Sequence, residues 1–385
     1  MIKKLWVILL FLPLWSMAQE DAPKNWELSG YMKNLQTWIF INNGPQTIFL
    51  QDNLLHNRLN FSWYLNDHWK LRADLRTRVF FGDLVRTQPN YADLVENAND
   101  DYFDLSMILL DRDAWVAHSM LDRAYLEWSK DDWELRFGRQ RVNWGISTIW
   151  NPNDVFNAFT FTDFDYEERP GSDALRIKRY IGFASSIEFA AKAADRLDEA
   201  VFAALWKWNR WDYDFQLLGG YVKNEWTIGA GWAGNLNNAG FKGEWTYFIP
   251  LEKELVQSFA LTFGVDYVFG NGLYGNLAYL YNSNGSIEDD VSGLFSFELS
   301  AKNLYPYRHA ILVQASYPIT SLINTSLAFI YSPVSVHPLF ANPTLSISIA
   351  NNWDLDFVGQ IVLNEQNASY KSPLQAVFLR LKLSY

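Results

Sequence analysis

The sequence predicts an all-β chain closed into a transmembrane antiparallel up-and-down β-barrel of about 18 strands, with 16 as the alternative count. Three observations predict it: two-residue alternation along nearly the whole chain, short polar turns that alternate with long connections, and a last strand ending on an aromatic residue. Composition agrees. Aromatic residues make up 17% of the chain, with 18 Trp, 20 Tyr and 27 Phe, yet mean hydropathy is only -0.14. A barrel in a bilayer produces that pairing, because aromatic girdles sit at both interfaces while half of each strand faces a polar lumen.

The first 18 residues read as a secretory signal: Lys3 and Lys4, an apolar run, then Ser16 and Ala18 at cleavage spacing, with the cut after Ala18. The run is shorter than the roughly 20 residues of a spanning helix. Residues 19–385 are then a single barrel domain. With no cysteine, lipoprotein anchoring, disulfides and thiolate chemistry are excluded. The formal charge of -11 becomes -13 once the two signal lysines are removed, which argues against a nucleic-acid partner.

Along the chain, "NRLNFSWYLN" sets Leu59, Phe61, Trp63 and Leu65 against Arg58, Asn60 and Ser62. After an Asn66-Asp67 turn, "WKLRADLRTRVFF" sets Trp69, Leu71, Ala73, Leu75 and Val79 against Lys70, Arg72, Asp74, Arg76 and Arg78. The pair predicts a hairpin with one lipid face and one basic face. Further strands are expected at 27–40, 119–130, 132–143, 172–180, 185–193, 199–208, 211–222, 225–235, 238–249, 257–269, 272–282, 307–317, 321–331, 343–350, 353–363 and 372–385. Turns at Asn66-Asp67, 130–132, Asn209-Arg210, 235–238, 270–272 and Asn351-Asn352 fall on one side, periplasmic in a barrel with periplasmic termini. The long connections, 82–118, 144–171, 283–306 and 332–342, fall on the other, extracellular side. In the last strand Val377, Leu379, Leu381, Leu383 and Tyr385 share a face, an ending of the kind that the barrel-assembly machinery reads in bacterial outer-membrane proteins. The lipid face would meet outer-membrane lipid and lipopolysaccharide, and a homo-oligomer is compatible with it.

Charge on a lipid face costs roughly 2 to 4 kcal/mol for Arg or Lys near the midplane. Arg58, Lys70, Arg72, Arg76, Arg78, Arg123, Arg136, Arg176 and Lys178 are therefore expected in the lumen, on neighbouring strands, where they favour an anionic solute. The competing reading is that they pair with Asp74, Glu127 and Glu134 and stiffen the wall. In "WELRFGRQRVNWG", Gly138 stands where alternation breaks; a β-bulge there would turn Arg136, Arg139 and Arg141 all inward.

Two acidic stretches, 93–113 and "FTDFDYEERPGSD", lack the spacing of a calcium loop and are expected to be solvated surface loops, with Ca²⁺ or a lipopolysaccharide-bridging cation as the alternative. The aromatic, weakly charged stretch 145–164 is expected to fold inward and constrict the pore, Trp144 leading into it and Asn151, Asn153 and Asp154 facing the opening; capping the barrel or touching lipopolysaccharide is the alternative. The five histidines, His56, His68, His118, His309 and His337, are scattered, and no nucleophile, metal or phosphate motif occurs, so neither catalysis nor a cofactor is expected.

The combination of "LRFGRQRVNWG", "NPNDVFNA" and "ERPGSDALRIKRYIG" resembles the porin-like barrels of the alginate-export type and their uncharacterised relatives. That resemblance, carried mainly by residues 119–190, implies a large outer-membrane channel with an arginine-rich lumen. On this chain Arg123, Arg136, Arg139, Arg141 and Arg176 would be its lumen arginines. The chain is shorter than that family's alginate exporter, so fold and anion conduction are implied and alginate is not. The expected function is passive diffusion or export of small or polymeric anions. Two other readings compete: a non-conducting accessory barrel whose loops bind a partner, and, less so, a barrel-embedded hydrolase.

Overall fold

A computed structural model of the 385-residue chain describes residues 25–44, 46–96, 102–158, 165, 169, 171–287, 299–366 and 368–385; the signal segment lies outside them. The strands on one side of the barrel are β1 (Trp26–Asn43), β2 (Gln46–Tyr64), β3 (Trp69–Gly82), β4 (Ser106–Arg112), β5 (Trp115–Lys130) and β6 (Trp133–Gln140). They continue as β7 (Ser172–Ile181), β8 (Ser185–Lys192), β9 (Val201–Arg210), β10 (Tyr213–Val222), β11 (Glu225–Leu236) and β12 (Ala239–Pro250). The remainder are β13 (Ser258–Val268), β14 (Tyr274–Asn282), β15 (His309–Thr320), β16 (Ile323–Tyr331), β17 (Leu339–Ala350), β18 (Trp353–Gln366) and β19 (Ser369–Ser384).

Eighteen of these strands form a closed antiparallel ring, and β4 is one extra strand. Each ring strand pairs with its sequence neighbours, and β1 closes the ring on β19 from Tyr31 opposite Ser384 to Ile41 opposite Leu374. Tyr385 completes the seam: its backbone exchanges two hydrogen bonds with Gly30, at 2.8 and 2.9 Å, and its hydroxyl accepts from Asn57 Nδ2 at 2.8 Å. Short turns, such as 131–132, 211–212, 237–238 and 351–352, collect at one end, and the long connections at the other. Two expected turns move by up to two residues, to 211–212 and 237–238, because β9 and β11 run further than their alternation suggested.

The wall is uneven. β1, β2, β3, β5 and β19 run 14 to 19 residues, whereas β6 to β10 run 8 to 10. On one edge β5 pairs with β3 along its length; on the other, β6 pairs only with Ala124 to Lys130. Above that point β6 has left the sheet, and β4 takes its place opposite Trp115 to Met120. The expected loop 82–118 is thus largely built: α1 (Asp83–Thr87) and α2 (Tyr91–Glu96) place Val85 and Ala92 against Val116, followed by β4.

Alternation decides which face each side chain takes. Outward go Phe137, Trp226, Phe189 and Leu277, each exposed, while Thr227, Glu244, Thr246 and Asn276 are buried inside. The expected bulge at Gly138 is absent: β6 keeps a continuous register with both β5 and β7. The register shift lies on the neighbouring strand, where Arg123 faces Asp74, Leu121 faces Leu75, and Asp122 is the extra residue. Gly138 is still required, because its φ is +117° and a Cβ would lie 2.3 Å from the Ala124 carbonyl oxygen. Gly138→Val should destabilise the folded barrel by about 1 to 3 kcal/mol. Gly44→Ala, at φ +64° with nothing within 4 Å, should cost about 1 kcal/mol. Urea unfolding of the refolded protein, followed by heat-modifiable gel mobility, checks both.

Candidate functional site

The lumen has two unlike halves. On the side of β1 to β7 and β19 the inner face is charged, and its ladder follows from the register: Lys33, His56, Arg78 and His118 lie opposite one another in one row, and Tyr31, Arg58, Arg76 and Met120 two residues away. Most of these cations are paired. Arg58, 2% exposed, donates to Asp122 at 2.6 Å and to Asp74 at 3.0 Å. Arg72 joins Asp74 at 2.8 Å and Arg123 joins Asp122 at 3.1 Å. Nearer the turn end Arg136 bridges Glu127 at 2.6 Å and Glu134 at 3.1 Å, and Arg176 bridges Glu134 at 3.0 Å and Glu188 at 3.2 Å. The extra residue at the bulge explains part of this: Asp122 and Arg123 both reach the lumen, which gives Arg58 a second carboxylate.

Pairing does not extend to every cation. Arg76 is 5% exposed, and among the described residues its guanidinium hydrogen-bonds the Met120 sulfur, at 2.9 Å. Lys70 and Lys178 sit over the Tyr64 and Tyr180 rings at 4.9 and 4.4 Å. Arg78 donates to His118 Nδ1 at 3.2 Å. Among the described residues Lys70, Arg76, Arg141 and Lys178 form no ion pair.

Arg139 departs from expectation. Without a bulge at Gly138 it stays opposite Asp173, joined at 2.9 Å, and its guanidinium also donates to the carbonyl oxygens of Phe103 and Leu121. Phe103 N–H in turn donates to Asp173 at 2.8 Å. This pair seals the notch where β6 leaves β5, so Arg136, Arg139 and Arg141 do not share one level of the pore. The expectation of a solvated acidic loop fails at the same place and at Asp165. Asp165 accepts from Lys33 at 2.8 Å and from Arg380 at 3.4 Å, which ties the β6–β7 connection to the β1–β19 seam. The described residues hold no group of three or more metal-ligating side chains, so the calcium alternative gains no support there.

The other half of the lumen is apolar and filled. Residues 141–158 lie inside the barrel: Val142, Trp144, Val155 and Phe156 pack on Ala190, Val201, Ala203, Leu205, Leu218 and Phe248, which line β8, β9, β10 and β12. Ile149 and Trp150 pack on Leu280, Leu312, Ile330, Phe340 and Val362 from β14 to β18. A second inward segment, Leu304 to Tyr307 with Ala301, joins both clusters, although 283–306 was expected to lie outside. Trp150 and Tyr305 meet edge to face, 6.2 Å between ring centres.

Polar contacts set the depth of the first segment. Trp144 Nε1 donates to Glu188 at 2.7 Å, Gln216 Nε2 to the Trp144 carbonyl at 2.7 Å, and Ile146 N–H to Glu244 at 3.0 Å. Asn153 donates to the Ala230 carbonyl at 3.1 Å and takes the Thr246 hydroxyl at 2.6 Å. Asn153 is thus held to the wall, and Asn151 and Asp154 are buried with it, at most 4% exposed, so none of the three faces an opening. Room comes from Gly229 and Gly231 of β11, where a Cβ would stand 2.7 Å from Asn153 Oδ1 and 2.9 Å from Ile146 Cδ1. Two glycines at i and i+2 on the inner face were the available signal, since strand glycine marks a close approach of other backbone. Runs such as "VFAALW", apolar on both faces, were another.

No family model matches the sequence, and no curated protein does. Solved structures do. OccAB1 of Acinetobacter baumannii superposes with TM-score 0.55 at 11% identity, covering 96% of this chain and 99% of that one. OccK11 (OpdR) and OccK3 (OpdO) of Pseudomonas aeruginosa reach 0.57 and 0.55 at 9% identity, covering 94% and 93% of this chain and 96% of each of theirs. The fold is that of the outer-membrane porins. At these identities the likeness covers architecture and leaves the lumen's chemistry to be read from its own residues.

Removing one partner of a buried ion pair leaves an uncompensated charge, which costs about 3 to 5 kcal/mol. Arg58→Ala should fall near the lower end of that range, because Arg72 and Arg123 remain beside Asp74 and Asp122. Adding Asp122→Asn should recover part of the loss in a double-mutant cycle measured by urea unfolding.

Proposed function

We propose that the protein is a porin-like channel of a bacterial outer membrane, with periplasmic termini, that passes small or polymeric anionic solutes along the charged half of its lumen. The surplus of cation over carboxylate there carries the reading. Arg76, Lys70 and Lys178 stand without an ion pair among the described residues, while Arg58, Arg72, Arg123, Arg136 and Arg176 are ion-paired. A guanidinium has five N–H donors and stays charged at any working pH, so a nearly buried Arg76 that among the described residues donates to a thioether, its Nε without a partner, is short of acceptors. A passing carboxylate or phosphate supplies them, and basic rings or ladders select anions in pores.

The porin-like fold supports this reading, and the apolar, aromatic outer face supports lipid and lipopolysaccharide as its surroundings. The polymeric substrate follows only from the alginate-export resemblance. The final strand with Tyr385, seated in the closing seam, is the segment proposed to engage the assembly machinery. One observation favours the accessory-barrel reading: two inward segments fill the apolar half of the lumen.

Planar-bilayer recording separates the readings. An anion-preferring reversal potential in a KCl gradient is expected, and the combined Lys70→Gln, Arg76→Gln, Lys178→Gln variant should lower the anion-to-cation permeability ratio several-fold. A cation-selective pore would overturn the anion reading. Absence of current together with a stoichiometric co-purifying protein would favour the accessory barrel.

A further inference from the structure

Two carboxyl groups are shut inside the barrel at the place where the inward segment meets the wall. Asp154 belongs to the segment and Glu244 to β12; both are fully buried. One Glu244 oxygen accepts the Ile146 N–H at 3.0 Å. The Trp144 N–H points toward the Asp154 carboxyl, but neither Asp154 oxygen, nor the second Glu244 oxygen, completes a hydrogen bond. Asn153 fixes the height of its neighbour Asp154 on the wall through Thr246 and Ala230.

Charged and titratable groups surround the pair on each packed element. Arg141 and Arg169 come from the same connection, Lys207 from β9, and Glu188 from β8, the last engaged by Trp144 and Arg176. Two ionised carboxylates in one dry site repel each other and lose their hydration. Holding one proton removes the repulsion and supplies a donor for an oxygen that has none.

We propose that protonation of the Asp154–Glu244 pair clamps residues 141–158 to the lumenal wall, so that loss of the proton loosens the segment. It rests on the channel reading only for its effect on current; the docking itself does not. Burial pushes the Asp154 carboxyl up to about 7, against an ordinary value near 3.8. A carboxyl with a higher pKa docked than free takes up a proton on docking. Docking is therefore strongest below about pH 4, weakens roughly tenfold per pH unit between about 4 and 7, and levels off above that.

The chain has no cysteine, so a nitroxide attached through Thr148→Cys, an exposed position of the segment, reports on it alone. Electron paramagnetic resonance of the full barrel in nanodiscs should show an immobilised label at pH 5 and a mobile fraction several-fold larger at pH 8. With Asp154→Asn the label should stay immobilised at both, and Glu244→Gln should reduce the response. Heat-modifiable gel mobility shows that each variant is a folded barrel. An unchanged spectrum from pH 5 to 8, or a full response in Asp154→Asn, would overturn the proposal. Single-channel current, larger at pH 8 than at pH 5, is the second measurement. A label that responds in a barrel carrying no current at either pH upholds the clamp and removes the channel.

Discussion

A strand at the edge of a sheet leaves a row of backbone N–H and C=O groups without partners, and closing the sheet into a ring removes that edge. Here the last strand meets the first over eleven register positions, and the Tyr385 main chain hydrogen-bonds to Gly30. Once the ring is closed, each strand has one face outward and one toward the interior, and most of the charges on β1 to β7 and β19 are turned to the interior. The lumen's chemistry is thus a consequence of the seam and of strict two-residue alternation.

That commitment creates a problem of its own. A ring of 18 strands encloses more space than wall side chains fill. The two halves of the wall solve it differently. From β1 to β7 and in β19 long arginines reach inward and are held by carboxylates one strand away. From β8 to β18 the inner face mixes Ala, Val, Leu and Phe with polar residues such as Gln216, Thr227, Glu244 and Thr246, and chain segments from the loop end fold in to cover it. Burying apolar groups drives this insertion, and polar anchors such as Asn153 and Trp144 determine its position.

Local irregularities do much of the fine placement. The Asp122 bulge sends two consecutive side chains inward and makes a three-strand network from what would be a single pair. The early departure of β6 frees chain for the inward segment and opens a notch in the wall, closed by β4 and the Arg139–Asp173 pair. Asp165 then ties the same connection to the closing seam through Lys33 and Arg380.

The sequence by itself determined the closed antiparallel barrel class, a strand count near 18 and the end at which the long connections fall. These are local consequences of period-two alternation and of turn chemistry, and both act residue by residue. Tertiary structure decided where alternation breaks, because Gly138 and Asp122 offer competing sites and only the register with neighbouring strands selects one. It also decided that Asn151, Asn153 and Asp154 are buried, with Asn153 held to the wall, rather than turned to an opening. The groups that seat the segment, Ala230 and Thr246 against Asn153 and Glu244 against the Ile146 N–H, lie about eighty to a hundred residues away, on strands whose inner glycines become meaningful only when something is laid across them.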